Sequence, residues 1–221
     1  MQHDTHGERR AGVDLYGGRV GKITMELNQT LSYYNTNAKA FVEGTVNVNF
    51  SYTQNKFLEK LNKEAFILDF GCGSGRDTKY FLDKGYLVEA IDGSEELCQI
   101  ASEYTGIEVK NLFFQELQEN AKYDAIWACS SILHLPYDEL VTVMEKMTIA
   151  LKDNGLIYTS FKYGTFEGVR NDRYFIDMNE EKIDKLLQAV TGIVIEETWI
   201  TSDVRPGRVE EKWLNLFLRK K

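Results

Sequence analysis

The chain has 221 residues, a net charge of −8, 43% hydrophobic and 27% charged residues, enough length and apolar content for one α/β domain with a buried sheet. The acidic balance argues against a general nucleic-acid or anionic-membrane binder, which needs a net basic face, and no apolar stretch approaches the ~18 residues of a membrane span. Cys72, Cys98 and Cys129 form no CxxC pair, which speaks against a disulfide framework or zinc site and for a reducing compartment.

Residues 1–24 are rich in Gly, Arg and His without apolar periodicity, so a disordered N-terminal extension is expected there, with one domain over 25–221. His3 and His6 lack further metal ligands, and Met25 would make a natural second start. The missing apolar core of a secretion signal points to a cytoplasmic protein. Next, "LNQTLSYYNTNAKAFVEGT" predicts a helix ending at Gly44, and "YTQNKFLEKL" a second, with Phe57, Leu58 and Leu61 on one face.

"AFILDF" is an apolar run of strand length, and the glycine-rich "GCGSG" follows it. "TKYFLDKG" predicts a helix closed by Gly85, "YLVEAID" a strand, and "SEELCQIASEYTG" a Ser-capped helix closed by Gly106. "IEVKNL" and "YDAIWACSS" are the third and fourth strands. "YDELVTVMEKMTIALKDNG" predicts a long helix with Leu140, Met144, Met147 and Leu151 at helical spacing, closed by Gly155. "LIYTSFKYG" is the fifth strand, "NEEKIDKLLQAVTG" a helix, and "IVIEETWITSDV" and "EKWLNLFLRK" the last two strands, joined by "RPGR". The alternation reads as βαβ units in a mostly parallel sheet with an antiparallel hairpin at its edge.

In such sheets ligands sit outside the carboxyl ends of the strands, at the switch point beside the first strand. Gly71 and Gly73 allow a tight turn and close approach of a ligand. Asp92 ends the next strand, where an acid accepts hydrogen bonds from ribose hydroxyls. Both features suit any adenosine-containing cofactor. The spacing G-C-G-S-G departs from the dinucleotide pattern G-x-G-x-x-G, and Asp69, two residues before the first glycine, suits a ligand with an ammonium group.

"LDFGCGSG" resembles the first motif of class I S-adenosylmethionine-dependent methyltransferases, and "AIDGS" resembles their second. "YDAIWACSSILH" and "ALKDNGLIYTSF" resemble their fourth and fifth strand regions, and the resemblance runs over about residues 28–221. The match looks closest to small bacterial members of the tellurite-resistance type. It implies a Rossmann-like, seven-stranded, mostly parallel sheet with helices on both faces and a C-terminal antiparallel hairpin.

The resemblance also implies S-adenosylmethionine as cofactor. Asp69, Gly71, Cys72 and Gly73 would then hold its methionine part, with Arg76 reaching its carboxylate or standing as a solvated charge. Asp92 would take the ribose hydroxyls, Gly93 and Ser94 would adjoin the adenine, and Gln115 or Glu116 would meet the adenine amine. Cys129 and Ser130 would line the cofactor beyond the fourth strand.

His134 is the candidate general base, unless it closes over the cofactor or caps a helix, and Tyr34 is a candidate lid residue touching the cofactor. Cys129 reads as a small buried residue rather than a nucleophile. Lys162, Arg170, Arg173, Arg205 and Arg208 fall in two loops at the same sheet edge, which suits a small anionic acceptor with Arg173 and Arg205 as anchors. Pairing with Asp172 or Asp203, to stiffen the loops, is the competing reading. No carboxylate cluster follows the fourth strand, so no metal is expected, and neither are nucleic acid or a membrane as partners. A nicotinamide-dependent Rossmann oxidoreductase and a non-catalytic cofactor-binding protein are the alternatives to a small-molecule methyltransferase. The sequence is silent on acceptor identity and oligomeric state.

Overall fold

The computed structural model describes residues 15–221, with side chains from Asn28 onward. Along the chain run α1 (Leu15–Thr45), α2 (Ser51–Leu58), β1 (Phe66–Phe70), α3 (Arg76–Asp83), β2 (Leu87–Asp92), α4 (Glu95–Thr105), β3 (Val109–Asn111) and β4 (Tyr123–Ala128). Then come α5 (Tyr137–Ala150), β5 (Leu151–Lys162), β6 (Glu167–Arg170), β7 (Arg173–Ile176), α6 (Glu180–Ala189), β8 (Ile193–Ser202) and β9 (Lys212–Lys220).

β1 to β5 pair in parallel, β9 runs antiparallel between β5 and β8, and the sheet order is β3-β2-β1-β4-β5-β9-β8. The terminal hairpin therefore enters the sheet by its second strand and leaves β8 at the edge. This is the Rossmann-like sheet that the sequence resemblance implied.

Side-chain alternation sorts the strands onto two faces. Leu68, Phe70, Ile126, Ile157 and Phe161 face Leu140, Met144 and Met147 of α5 and Ile183 and Leu186 of α6. Ile67, Trp127, Leu156 and Tyr158 face Phe57 of α2 and Phe81 of α3, with Trp127 stacked on Tyr158 at 4.0 Å between ring centroids. α4 adds Cys98 and Ala101 to a smaller cluster over Ala90 and Val109.

Several boundaries differ from the sequence reading. α1 reaches back to Leu15, taking in residues 15–24 of the expected extension, while residues 1–14, with His3 and His6, lie outside the described residues. The helix carries a kink at Asn37, whose side-chain N–H donates to the Tyr33 carbonyl at 2.8 Å. α5 stops at Ala150, because residues 151–155 already belong to β5, where Leu151 is buried and pairs with Tyr123. The segment "KYGTFEGVRNDRYF", expected as a loop, holds the small β6–β7 hairpin, turned by Asn171 and Asp172 at positive φ. Among the described residues no helix is long and apolar enough to cross a membrane.

Candidate active site

The carboxyl ends of β1, β2 and β4 open onto a cavity of about 440 Å³, within the range of small-molecule sites. α1 lies over the cofactor-type loops. An added Cβ at Gly93 would stand 2.9 Å from the Leu31 side chain, so the helix packs directly onto bare backbone. The Ser94 hydroxyl donates to Asn35 Oδ1 at 2.6 Å, and the Tyr174 N–H of β7 donates to Thr30 Oγ1 at 3.0 Å. α1 thus ties the β2 loop to the β6–β7 hairpin across the cavity.

Gly71 leaves β1 at φ +85°, and an added Cβ would meet Ser131 Cβ at 2.5 Å and Phe114 at 2.9 Å. The loop is held by contacts that admit no side chain there. The Asp92 carboxylate accepts the Gly73 N–H on one oxygen and the Ser94 N–H on the other, both at 2.9 Å. Asp92 lines the cavity. Burial raises its pKa, and the backbone N–H groups of Ser94, Gly73 and Gly93 offset part of that.

Asp69 is placed differently from the sequence reading. It is absent from the cavity wall, buried beneath the loop, and accepts the Thr78 hydroxyl at 2.5 Å. Burial, reinforced by the neighbouring Asp77 charge, pushes its carboxyl up to about 8, so near neutral pH it is largely protonated and is no ready partner for an ammonium group.

The acid that faces the cavity there is Asp77, which the sequence reading missed. It accepts from Gln54 Nε2 (2.7 Å), Arg76 Nε (2.8 Å), Arg76 Nη2 (2.9 Å) and Trp127 Nε1 (2.9 Å). Burial opposes its ionisation, but the Arg76 charge and these hydrogen bonds prevail and hold its pKa below the usual value. Arg76 is neither free nor solvated. It is clamped on Asp77, lies 4.7 Å from the Phe50 ring centroid and borders the cavity.

Cys72, Gly73, Gly93, Cys129 and Ser130 line the cavity. Burial raises the Cys129 thiol to about 12, which fits a packing residue. Ser94 does not line the cavity, since it caps α4 by accepting the Leu97 N–H and is turned toward Asn35. Glu116 and Gln115 both border it, with Glu116 accepting the Phe113 N–H at 2.8 Å and Gln115 donating to Glu139. Among the described residues no group of His, Cys, Asp or Glu side chains is arranged to hold a metal ion.

His134 follows β4 in a short 3-10 turn and is buried. Its Nδ1 lies 2.6 Å from the Tyr174 carbonyl and its Nε2 2.8 Å from the Tyr34 hydroxyl. A carbonyl only accepts, so Nδ1 carries the proton, and in the neutral ring Nε2 accepts from Tyr34. Burial lowers the imidazole pKa to about 4, with the Arg173 charge acting in the same direction. His134 is therefore a neutral ring whose basic nitrogen is already engaged. Burial raises the Tyr34 pKa, while the charge of Arg173 and a hydrogen bond from it act the other way.

The arginines separate clearly. Arg170 pairs with Asp177 at 2.7 Å and does not line the cavity. Arg205 pairs with Asp203 at 2.5 Å, which is the loop-stiffening arrangement. Arg208 lies 3.7 Å from Glu211 and is exposed, and Lys162 pairs with the same glutamate. Arg173 lines the cavity, stacks 4.3 Å from the Tyr33 ring centroid, and has no carboxylate partner among the described residues. Leu31, Phe41, Phe113, Phe114 and Trp213 supply apolar walls that the sequence reading did not assign, since aromatic residues beside a sheet are ordinarily core, and Phe175 joins them.

Residues 67–155 match the methyltransferase domain family. They hold β1 to the start of β5, and so every loop that carries Gly71, Asp92 and His134. Among curated relatives, the N-terminal Xaa-Pro-Lys N-methyltransferase 1 of Xenopus tropicalis is 35% identical over 100 residues, covering 42% of this chain and 45% of that protein. The chain spans about half the length of the curated relatives it matches, and 30% of an uncharacterized protein of Methanocaldococcus jannaschii.

Likeness to solved structures extends well beyond the methyltransferase domain. The 1,6-didemethyltoxoflavin N1-methyltransferase of Burkholderia thailandensis, solved with its namesake compound and S-adenosylhomocysteine, superposes with a TM-score of 0.71 at 19% identity over 96% of this chain and 93% of that one. The magnesium protoporphyrin IX methyltransferase of Synechocystis, with bound S-adenosylhomocysteine, gives 0.70 at 19% identity over 89% and 100%. The chain thus has the fold of class I S-adenosylmethionine-dependent methyltransferases.

Proposed function

We propose that the chain is an S-adenosylmethionine-dependent methyltransferase that moves a methyl group to a small, anionic acceptor by in-line displacement. The observation that carries this reading is Asp92. Its two oxygens are fixed by the Gly73 and Ser94 N–H groups and the carboxylate lines the cavity, which suits the paired hydroxyls of a ribose. The bare loop at Gly71 and Gly73 fits a ligand that must approach the backbone closely. The cofactor, when bound, supplies an already activated methyl group.

The chain's own residues then have three tasks. Asp92 and the glycine loop hold and orient the donor, and orientation of two reactants alone is worth up to roughly 7–11 kcal/mol. Leu31, Phe41 and Phe113 exclude water from above. The Tyr34, His134 and Arg173 group faces the acceptor side, and we assign His134 to holding Tyr34 rather than to removing a proton, because its Nε2 is taken and its ring resists protonation. A cytoplasmic setting, supported by the free cysteines, and the absence of nucleic-acid partners, supported by the net charge of −8, are part of the proposal.

Calorimetric titration with S-adenosylhomocysteine, beside thermal melts with the same compound and with NADH, tests the reading. S-Adenosylhomocysteine should bind and raise the melting temperature. Stabilisation by NADH alone would instead favour the oxidoreductase. Transfer of labelled methyl to a panel of small carboxylates and phenols separates an enzyme from a cofactor-binding protein.

A further inference from the structure

Arg173 is an anomaly among the cations of the site. Arg170, Arg205 and Lys162 each have a carboxylate partner, and Arg208 is half in solvent near Glu211. Arg173 has none among the described residues, and its Nε is buried without a hydrogen-bond partner. A cation set in an apolar wall without a counter-charge is costly, and an anionic ligand would offset that cost.

A directed chain of hydrogen bonds ends beside it. The Tyr174 carbonyl accepts from His134 Nδ1, and His134 Nε2 accepts from the Tyr34 hydroxyl. With its proton committed to His134, the Tyr34 oxygen can act only as an acceptor on its other side, and the Arg173 guanidinium carbon lies 5.8 Å from the Tyr34 ring centroid. The Tyr33 and Phe175 rings, at 4.3 and 5.2 Å from the guanidinium carbon, hold the plane of the fork.

Resting on the methyltransferase reading above, we propose that the Arg173 guanidinium, oriented by Tyr34 and His134, is the binding site for the carboxylate of an apolar, planar monocarboxylate acceptor. A single unpaired guanidinium matches one carboxylate in charge and geometry. A phosphate dianion would call for further free cations, and Arg205 and Lys162 are already neutralised. Phe175, Leu133 and Leu135, which line the same cavity, suit an aromatic body beside the carboxylate. Arg173 would contact the acceptor directly, whereas Tyr34 and His134 are positioning residues.

Benzoate and its neutral isostere benzamide are the probes, titrated calorimetrically into protein saturated with S-adenosylhomocysteine. Wild type should bind benzoate at least tenfold more tightly than benzamide. Arg173→Gln should erase that preference and leave benzamide and S-adenosylhomocysteine binding unchanged. Tyr34→Phe should weaken benzoate severalfold in wild type and add no further loss in Arg173→Gln, the non-additivity expected of a residue acting through another. Arg205→Gln should keep the preference.

Equal affinity for the two probes in wild type, or a benzoate preference surviving Arg173→Gln, would overturn the proposal. Should Arg173→Gln not fold, phenylglyoxal modification of wild type supplies the answer. Saturating benzoate should slow the labelling of Arg173 specifically, and unslowed labelling counts against the site. Failure of S-adenosylhomocysteine to bind would remove the cofactor reading alone, since the benzoate preference is then read on the protein without it.

Discussion

Replacing Asp92 by asparagine changes one oxygen of the site into an NH2 group and removes the charge. In the native arrangement each oxygen accepts one backbone N–H at 2.9 Å, so whichever oxygen is lost, its N–H donor then faces another donor. A hydrogen bond to a charged group contributes about 1.5–3 kcal/mol. Loss of one such bond to the ribose therefore weakens S-adenosylhomocysteine binding about 10- to 150-fold. The stranded N–H costs a further ~1–3 kcal/mol of folding stability, a fall of several degrees in melting temperature for a domain of this size. Calorimetric titration of Asp92→Asn at a temperature well below its melt separates the two effects. A dissociation constant within threefold of wild type, in a protein whose melting point has dropped, would show that Asp92 holds the loop and not the ligand.

Gly71→Ala should lose roughly 2–5 kcal/mol in urea unfolding, combining left-handed strain with overpacking against Ser131 and Phe114; a loss under about 1 kcal/mol would mean that the loop relaxes freely. Asp69, raised to about 8 when folded from about 3.9 unfolded, keeps its proton in the native state while the unfolded chain has released it. Stability should thus decline from roughly pH 4 to pH 8 by up to ~1.4 kcal/mol per pH unit, and Asp69→Asn should abolish that component. An identical slope in both proteins defeats the argument. His134, at about 4 when folded, binds fewer protons than the unfolded chain, so it contributes stability that falls as the pH drops from ~6.5 toward 4. Its imidazole NMR signals should not titrate above ~pH 5, and a midpoint near 6.5 would refute its burial.

The sheet was legible because each parallel strand is a short apolar run closed by a turn signal, and because "FILDF", "AID" and "YDAIWA" fall where the register later pairs them. The loop glycines and Asp92 were legible for the same reason, being local consequences of strand ends. Asp69 and Asp77 were not. Asp69 lies near the end of β1 and Asp77 in the first turn of α3, and which of them faces the cavity depends on Gln54 and Trp127, far apart in sequence. Of the five cations, the sequence favoured Arg173 and Arg205 equally as anchors, and the partners brought by folding, Asp177, Asp203 and Glu211, single out Arg173. The β6–β7 hairpin escaped notice because its strands are four residues each and carry little apolar alternation.

The cavity is built from two stretches of chain with separate duties. Asp92, the glycine loop and the turn after β4 all fall inside residues 67–155, whereas Leu31, Tyr34, Arg173 and Trp213 come from outside that range. Under the proposed reading, a change of acceptor can therefore be built at the two ends of the chain, with the middle left untouched. The Thr30–Tyr174 bond that stitches those ends together is then the seam along which new specificities must remain compatible.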